Sequence, residues 1–372
     1  MRIETLAIHA ARKPDPATGA ISGTLHLAST FERAADGSYP HGHFYGRASN
    51  PGRQELEQAI ATLEGGAQGV AFSSGTAATL AVFGLLRAGD HVIAPAECYH
   101  GTIKQLHELI APRGVEVTLA ETWTPAAIAA AWRSNTRLLW IETPSNPRLH
   151  LTDIAAAAEF AHARKALLAC DSTFAPPVIQ RPLALGADFV MHSTTKYFSG
   201  HSDVTGGIVV AARTGDALDG LRHQQLQGGA VPSPFDCWLL RRSMMTLPLR
   251  VEAQCDNAER VAAFLAAHPV VERVYYPGLA SHPGHDVARR QMRRFGAMMS
   301  VQVHGGETAA LAVAARVKVF TRATSLGGVE SLIEHRASME GPGTKTPQNL
   351  LRLSIGIENA DDLLEDLAQA LG

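Results

Sequence analysis

The sequence has few lysines, no long run of like charges and no long apolar run. Its 372 residues carry a formal net charge of -2, which argues against strong attraction to nucleic acid or to an anionic membrane surface. No apolar run approaches the ~20 residues that a membrane-spanning helix needs, and the first residues lack the apolar core of a signal peptide. The sequence therefore predicts a cytoplasmic protein without nucleic-acid or membrane partners.

Neither a disulfide framework nor a metal site is indicated. The four cysteines are far apart and form no Cys-x-x-Cys pair, so reduced thiols are the simplest expectation. His282 and His285 have a spacing found in metal sites, but no further set of ligands is evident. We therefore predict a loop at these histidines and no bound metal.

Lysine is scarce, with six in the whole chain, and one of them has unusual neighbours. Lys196 follows a short apolar segment, residues 188–192, which is predicted to be a strand, and Ser193, Thr194 and Thr195 precede it directly. Burial lowers the pKa of a lysine and makes it a nucleophile that can form a Schiff base. Taken alone, the segment fits a solvated loop lysine equally well.

A second turn has the pattern of an anion-binding site. Residues 69–72 are predicted to form a strand, and Ser73-Ser74-Gly75-Thr76 lead from it into a helix. Such a turn points free backbone N–H groups at an anion, and a glycine lets the backbone approach closely. No Gly-Lys-Ser/Thr follows, so the pattern favours a single phosphate group over a nucleoside triphosphate.

Polar residues also follow the other strands predicted for this part of the chain, at residues 91–94, 137–141 and 166–170. Tyr99 could lie flat on a planar ligand, Asn146 lies in a proline-rich loop, and Asp171 follows an apolar segment. Asp171 is either a cap or the partner of a buried cation, because an unpaired buried carboxylate is costly. Strands that alternate with helices and carry polar residues at their ends predict a mostly parallel sheet with a ligand at its carboxyl edge.

The chain is long enough, and with 46% hydrophobic residues apolar enough, to form more than one domain. Its pattern divides it into three regions. Residues 1–44 are predicted to be an arm that a neighbouring subunit holds in place. Residues 45–235 would form the α/β domain. Residues 236–372, with helices predicted at 235–250 and 251–267 and three strands, would form a smaller α+β domain. Arg352 lies in one of those apolar strands and needs an anionic partner.

Tyr45 and Arg47 lie just before a helix that Asn50 caps and Pro51 opens. In an extended segment the two side chains would point to the same side, where they would suit a phosphate or a carboxylate. A surface arginine beside a packing tyrosine is the alternative interpretation.

Together these motifs resemble the Cys/Met-metabolism family of pyridoxal phosphate (PLP) enzymes over essentially the whole chain. The family includes cystathionine γ-synthase, γ-lyase and β-lyase, and methionine γ-lyase. The resemblance rests on these stretches: Tyr45-Gly-Arg47, Ser73-Ser-Gly-Thr-Ala-Ala78, Glu142-Thr-Pro-Ser-Asn-Pro147, Asp171-Ser-Thr-Phe174, His192-Ser-Thr-Thr-Lys-Tyr197, Gly200-His-Ser-Asp203 and Ser325-Leu-Gly-Gly-Val-Glu-Ser331.

The resemblance implies the fold of aspartate aminotransferase-like, fold-type I PLP enzymes and a role for each candidate residue. Lys196 would carry the cofactor as a Schiff base and act as the catalytic base, with Tyr99 stacked on the ring and helping proton transfer. Asp171 would pair with the ring nitrogen, while Asn146 and Thr173 would lie beside the ring. The phosphate would be bound by the residues of both turns and by a neighbouring subunit: Ser74, Gly75, Thr76, Ser193, Thr195, and Tyr45 and Arg47 of the neighbour. Arg352 would bind the α-carboxylate of the substrate, with Ser325, Asn146 and Tyr45 nearby.

The implied activity is γ-carbon chemistry on cystathionine or an O-acylhomoserine, in a homotetramer whose active sites are shared between subunits. Gly101 argues against methionine γ-lyase, which carries cysteine at that position. Thr324 stands where many γ-synthases and γ-lyases have glutamate, which leaves distal specificity open. Cystathionine β-lyase, an O-acylhomoserine sulfhydrylase and a non-catalytic PLP-binding regulator are the alternatives.

Overall fold

A seven-stranded sheet forms the centre of the larger part of the chain. The computed structural model describes residues 1–341 and 344–372. The strands run in the spatial order β1-β7-β6-β5-β4-β2-β3. Within the described residues, six of them run in one direction and β7 runs in the opposite direction. The predicted mostly parallel sheet is thus confirmed. Its strands are β1 (Gln68–Phe72), β2 (His91–Pro95), β3 (Glu116–Ala120), β4 (Thr136–Glu142), β5 (Leu167–Asp171), β6 (Phe189–His192) and β7 (Gly207–Ala211).

Helices cover both faces of this sheet. Because side chains alternate along a strand, Trp140 of β4 packs in the core beneath one group of helices, whereas Leu139 and Ile141 pack in the core on the opposite face. Burial on both faces explains why the central strands are apolar without alternation. The helices of this part are α1 (Ile3–His9), α2 (Pro51–Glu64), α3 (Gly75–Phe83), α4 (His100–Gln105), α5 (Pro125–Ala131), α6 (Ile154–His162) and α7 (Asp216–Gly228).

The C-terminal part is built on a second, smaller sheet of mainly antiparallel strands. Its order is β10-β11-β12-β9-β8, and only β10 and β11 pair in parallel among the described residues. These strands are β8 (Val271–Tyr275), β9 (Met298–Val303), β10 (Thr321–Arg322), β11 (Leu332–His335) and β12 (Leu350–Ser354). The accompanying helices are α8 (Pro234–Met244), α9 (Leu247–Ala267), α10 (His285–Gln291), α11 (Gly306–Arg316), α12 (Arg336–Glu340) and α13 (Ala360–Leu371).

One predicted helix boundary differs from the structure. The break between α8 and α9 lies at residues 245–246, about one turn before the predicted one, because Pro248 lacks the backbone N–H that a helix interior requires and is placed in the first turn of α9. The predicted arm contains the short helix α1, in which Ala7 is buried and Ile3 and Leu6 pack on the main core. Residues 10–44 contain neither a helix nor a regular strand, and most of them are exposed.

All four cysteines, Cys98, Cys170, Cys237 and Cys255, are free and buried, in agreement with the predicted reduced thiols. Burial raises the pKa of each thiol, to about 12 for Cys237 and for Cys255. In the described ranges, no three His, Cys, Asp or Glu side chains are placed to hold a metal ion. The same ranges contain no helix long and apolar enough to cross a membrane.

Candidate active site

One cavity of about 230 Å³ gathers the predicted site residues at the carboxyl edge of the larger sheet. It also reaches the loop before β11 and the strand β12, so both parts of the chain contribute to it. Of the predicted residues, all except Tyr45 and Arg47 line this cavity: Ser74, Gly75, Thr76, Tyr99, Asn146, Asp171, Thr173, Ser193, Thr195, Lys196, Ser325 and Arg352.

Closely packed turns at one end of the cavity form an anion-binding arrangement. The side chain of Ser74 caps α3 by accepting a hydrogen bond from the backbone N–H of Ala77 (3.1 Å). A Cβ atom added at Gly75 would lie 2.7 Å from the Cβ of Ser193, and one added at Gly207 would lie 2.3 Å from the Ser74 carbonyl oxygen. The glycines therefore let the start of α3 and the turn after β6 meet, with hydroxyls and free backbone N–H groups at one place.

Lys196 lies on the turn that follows β6, and its amine is mostly buried. Burial, and then the positive charge of Arg352, lower the pKa of Lys196 from 10.5 to about 8. The Nζ atom donates a hydrogen bond to Oγ of Ser325 (2.9 Å). Ser325 has a backbone φ of +102°, a region that residues with a side chain rarely adopt. The second part of the chain thus holds a strained residue against the amine, which is typical of functional sites.

Asp171 lies at the end of β5 with 5% of its surface exposed. Burial raises the pKa of its carboxyl group, while hydrogen bonds from Thr173, including one from the backbone N–H (2.9 Å), oppose that rise. None of the ion pairs found within residues 1–341 and 344–372 includes Asp171. A buried carboxylate that faces a cavity without a cation partner fits a cationic ligand group.

Glu142 was not predicted, although it lies directly opposite Asp171 in the pairing of β4 with β5. Its two carboxylate oxygens accept hydrogen bonds from the backbone N–H groups of Tyr99 and Asn146, each at 2.8 Å. Burial and the nearby Asp171 raise the pKa of Glu142. Glu142 therefore ties together the two loops that present Tyr99 and Asn146 to the cavity. Its position at the end of an apolar strand was the available sequence signal.

Tyr99 is 45% exposed at the mouth of the cavity. Its ring lies over Gly101, where an added Cβ would come within 2.4 Å of the ring atom Cε1. Thr324 also lines the cavity.

A chain of four charges, three of them buried and the fourth half-buried, begins at Arg352. Its guanidinium donates to Oδ1 of Asn146 and to the carbonyl oxygen of Ser325, each at 3.1 Å, and lies 2.6 Å from Oε2 of Glu334. The predicted anionic partner of Arg352 is thus Glu334, which lies opposite it in the pairing of β11 with β12. Arg336 lines the same cavity and links Glu334 to Glu340.

Tyr45 and Arg47 lie outside this cavity, and the predicted extended segment is wrong. Tyr45 forms an isolated bridge with Thr30, and a turn follows it, because the backbone N–H of Ala48 bonds back to the Tyr45 carbonyl oxygen (2.9 Å). Arg47 instead stacks on the Tyr45 ring at 5.7 Å and donates to the carbonyl oxygen of Leu226 (2.7 Å). Both residues are exposed to solvent.

The model of the family described as "Cys/Met metabolism PLP-dependent enzyme" matches residues 4–372. The chain belongs to this family. It is 48% identical to the cystathionine gamma-synthase of Mycobacterium tuberculosis over 99% of this chain and 96% of that protein. It is 42% identical to the cystathionine beta-lyase of Coxiella burnetii over 99% and 97%. The structure of the cystathionine gamma-lyase of Lactobacillus plantarum complexed with L-serine has a TM-score of 0.95, with 40% identity over 100% of this chain and 98% of that one.

As a member of this family, the protein is a PLP-dependent enzyme of cysteine and methionine metabolism, and its fold is that of its structural relatives. The cavity fits the cofactor in three respects. Its glycine-lined turns suit a phosphate, its lysine has a lowered pKa, and the buried Asp171 lacks a cation that a protonated ring nitrogen would supply.

Proposed function

We propose that the enzyme acts on the γ-carbon of cystathionine or of an O-acylhomoserine, by elimination or replacement. The observation that carries the proposal is the position of the Lys196 amine, which has a lowered pKa and lies in one cavity with Asp171 and Arg352. A lysine base, an anion for a cationic ring and a cation for a carboxylate are what an amino-acid substrate requires. The relative named cystathionine gamma-synthase supports the choice of the γ-carbon, and the relative named beta-lyase keeps the β-carbon as the alternative.

In the proposed arrangement, the residues of the two turns bind the phosphate, Lys196 holds the cofactor covalently, and Asp171 pairs with the ring nitrogen. When bound, pyridoxal phosphate supplies an electron sink for the negative charge that forms at the substrate Cα. Asp171 would keep the ring nitrogen protonated, which is the condition for that sink. Tyr99 would lie against the ring, and Glu142 accepts the hydrogen bond of the Tyr99 backbone N–H.

Proton transfer falls to Lys196. Once the substrate amine has taken its place on the cofactor, Lys196 would again be a free amine. Burial lowers the pKa of that free amine to about 8, so part of it is neutral near neutral pH and Nζ could accept the proton from Cα. For chemistry at the γ-carbon, a second proton leaves Cβ, and we assign its transfer to Lys196 with help from the Tyr99 hydroxyl. Arg352 binds the α-carboxylate, with Asn146 and Ser325 beside it.

Tyr45 and Arg47 are proposed to complete the site of a neighbouring subunit within a homotetramer, in which residues 1–44 serve as the contact arm. Both side chains are exposed and lie outside the cavity of their own chain, which supports this assignment. The proposed location of the tetramer is the cytoplasm. Mixed oligomers test the shared site: R47A and K196A subunits, each inactive alone, should regain activity when refolded together. Mixtures that stay inactive although mixed oligomers form would contradict it.

Product analysis tests the reaction itself. The purified enzyme is given L-cystathionine alone, and separately an O-acylhomoserine with L-cysteine. Formation of 2-oxobutanoate from cystathionine, or of cystathionine from the second mixture, would support the γ-carbon. Pyruvate with homocysteine as the sole products would support the β-carbon instead. Absence of a borohydride-sensitive visible absorption band after incubation with PLP, or its persistence in K196A, would refute the site assignment.

A further inference from the structure

The cavity holds two buried guanidinium groups at the end where a substrate carboxylate is proposed to bind. Arg352 and Arg336 are exposed by 4% and 6%, and both line the cavity. One arginine is sufficient for one carboxylate. A second buried arginine therefore needs its own explanation, because burying a charge is costly unless the charge is compensated.

Both arginines share the same carboxylate oxygen. Oε2 of Glu334 lies 2.6 Å from Nη2 of Arg352 and 3.2 Å from Nη1 of Arg336. The other oxygen of Glu334, Oε1, is buried and has no hydrogen-bond partner among the described residues. Glu334 therefore places its negative charge at one point between the two guanidinium groups.

If Glu334 were paired with Arg352 alone, that pair would be neutral and would oppose an incoming carboxylate. The substrate carboxylate would then have to approach a buried glutamate with the same charge, at a site where burial reduces screening. Arg336 changes this balance, because its guanidinium draws on the same oxygen and neutralises Glu334 from the other side. With Glu340 on the far side of Arg336, the four charges sum to zero, but Glu334, the anion next to Arg352, is shared between two guanidinium groups, so less of its charge offsets Arg352 at the cavity.

Arg336 is itself held in place from behind. Its Nε atom donates to Oε1 of Glu340 (2.9 Å), and the other oxygen of Glu340 accepts hydrogen bonds from the hydroxyls of Thr344 and Thr346. The threonines thus bond one oxygen of Glu340 and Arg336 bonds the other, so Arg336 lies between Glu340 and Glu334. This arrangement fixes the geometry with which Arg336 reaches Glu334.

We propose that Arg336 is a positioning residue of the carboxylate site, which neutralises Glu334 and so leaves Arg352 available for the α-carboxylate of the substrate. The proposal rests on the proposed function, in which Arg352 binds that carboxylate. It requires that Arg336 acts through Glu334 and does not contact the substrate.

The test isolates the carboxylate by comparing two ligands of the PLP-loaded enzyme. L-Alanine lacks a leaving group, and ethylamine is the same molecule without its carboxylate. Both dissociation constants are measured from the change in visible absorption. The ratio of the ethylamine constant to the alanine constant reports the contribution of the carboxylate to binding. We expect R336M to lower this ratio by about tenfold, the range of coupling energies within one charge network. R336K keeps the charge and should stay within about threefold of the wild type.

A double-mutant cycle with Glu334 decides how Arg336 acts. In an E334Q background there is no negative charge to neutralise, so R336M should change the ratio by less than about threefold. E334Q alone should raise the ratio, a result that also serves if R336M does not fold. An equal effect of R336M in both backgrounds, or an unchanged ratio in E334Q or R336M, would overturn the proposal.

Two further variants separate this inference from the proposed function. R352M should abolish the preference for alanine. If R352M keeps the preference for alanine, the proposed role of Arg352 is refuted. If R352M loses the preference but the double-mutant cycle shows no coupling between Arg336 and Glu334, only the proposed role of Arg336 is refuted. R222M is the matched control, because Arg222 also contacts a buried glutamate, Glu57 (2.8 Å), but lies outside this cavity. Its ratio should equal that of the wild type.

Discussion

Gly75 lies where the start of α3 meets the turn after β6, and replacing it with alanine tests the proposed phosphate site. The added Cβ would lie 2.7 Å from Cβ and 2.8 Å from Oγ of Ser193. That carbon–carbon distance is about 1 Å shorter than the ~3.5–4.0 Å optimum. Overpacking of this kind typically costs about 1–3 kcal/mol. The helix propensity of alanine offsets at most ~1 kcal/mol of that cost in the stability of the fold, since Gly75 is the first residue of α3.

We expect Ser193 to move away from the start of α3 to relieve this contact, so that binding of the cofactor phosphate, which needs Ser193 in place, carries the cost. One to three kcal/mol correspond to a rise of about 5- to 150-fold in the dissociation constant of PLP. The assay is titration of cofactor-free enzyme with PLP, followed by visible absorption. G52A is the matched control, because Gly52 lies in the first turn of α2 and an added Cβ would meet only Oδ1 of Asn50, at 3.4 Å. An unchanged dissociation constant in a folded G75A enzyme would refute the reasoning.

Three further predictions concern the charged groups of the cavity. In cofactor-free enzyme, the pKa of Lys196 is about 8 instead of 10.5, so its modification by an amine reagent should increase with pH around a midpoint near 8; a midpoint near 10.5 would contradict the assigned burial. D171N should keep the lysine-bound cofactor and lower kcat by about 10²- to 10³-fold, the cost of one preorganised electrostatic partner, and a near-normal kcat would argue against the pairing. In E142Q the side-chain NH2 would face the backbone N–H of Tyr99 or of Asn146, so kcat should fall by about tenfold. The control is E97Q, because Glu97 joins the same two loops through Arg148 but lies outside the cavity; its effect on kcat should be smaller.

The central sheet was predictable because its strands are buried on both faces and end in polar turns. Strand β7 was missed although Ile208, Val209 and Val210 form an apolar run, because Gly206 and Gly207 just before it appeared to belong to a loop. Those glycines are needed for packing: an added Cβ at Gly206 would lie 2.5 Å from Oγ1 of Thr194. Short strands beside glycine-rich turns carry too few residues for their periodicity to be recognised.

The site was predictable as a set of residue types but not as a set of contacts. Arg352 in an apolar strand indicated an anionic partner, and Glu334 carries the same signal in β11, yet nothing in the sequence pairs them. Their pairing depends on the antiparallel register of β11 and β12, which tertiary packing decides. The turn that contains Tyr45 and Arg47 was likewise not predictable, because alternation predicts side-chain direction only where the backbone is extended.

The buried cysteines have a consequence for an enzyme of sulfur metabolism. Thiol–disulfide exchange requires an accessible thiolate. Each of the four thiols is enclosed, and burial raises the pKa of each, so that the protonated form dominates at neutral pH. Small thiols or disulfides in the surrounding solution therefore find no accessible partner among the four cysteines. We expect the folded protein to form no mixed disulfides through them.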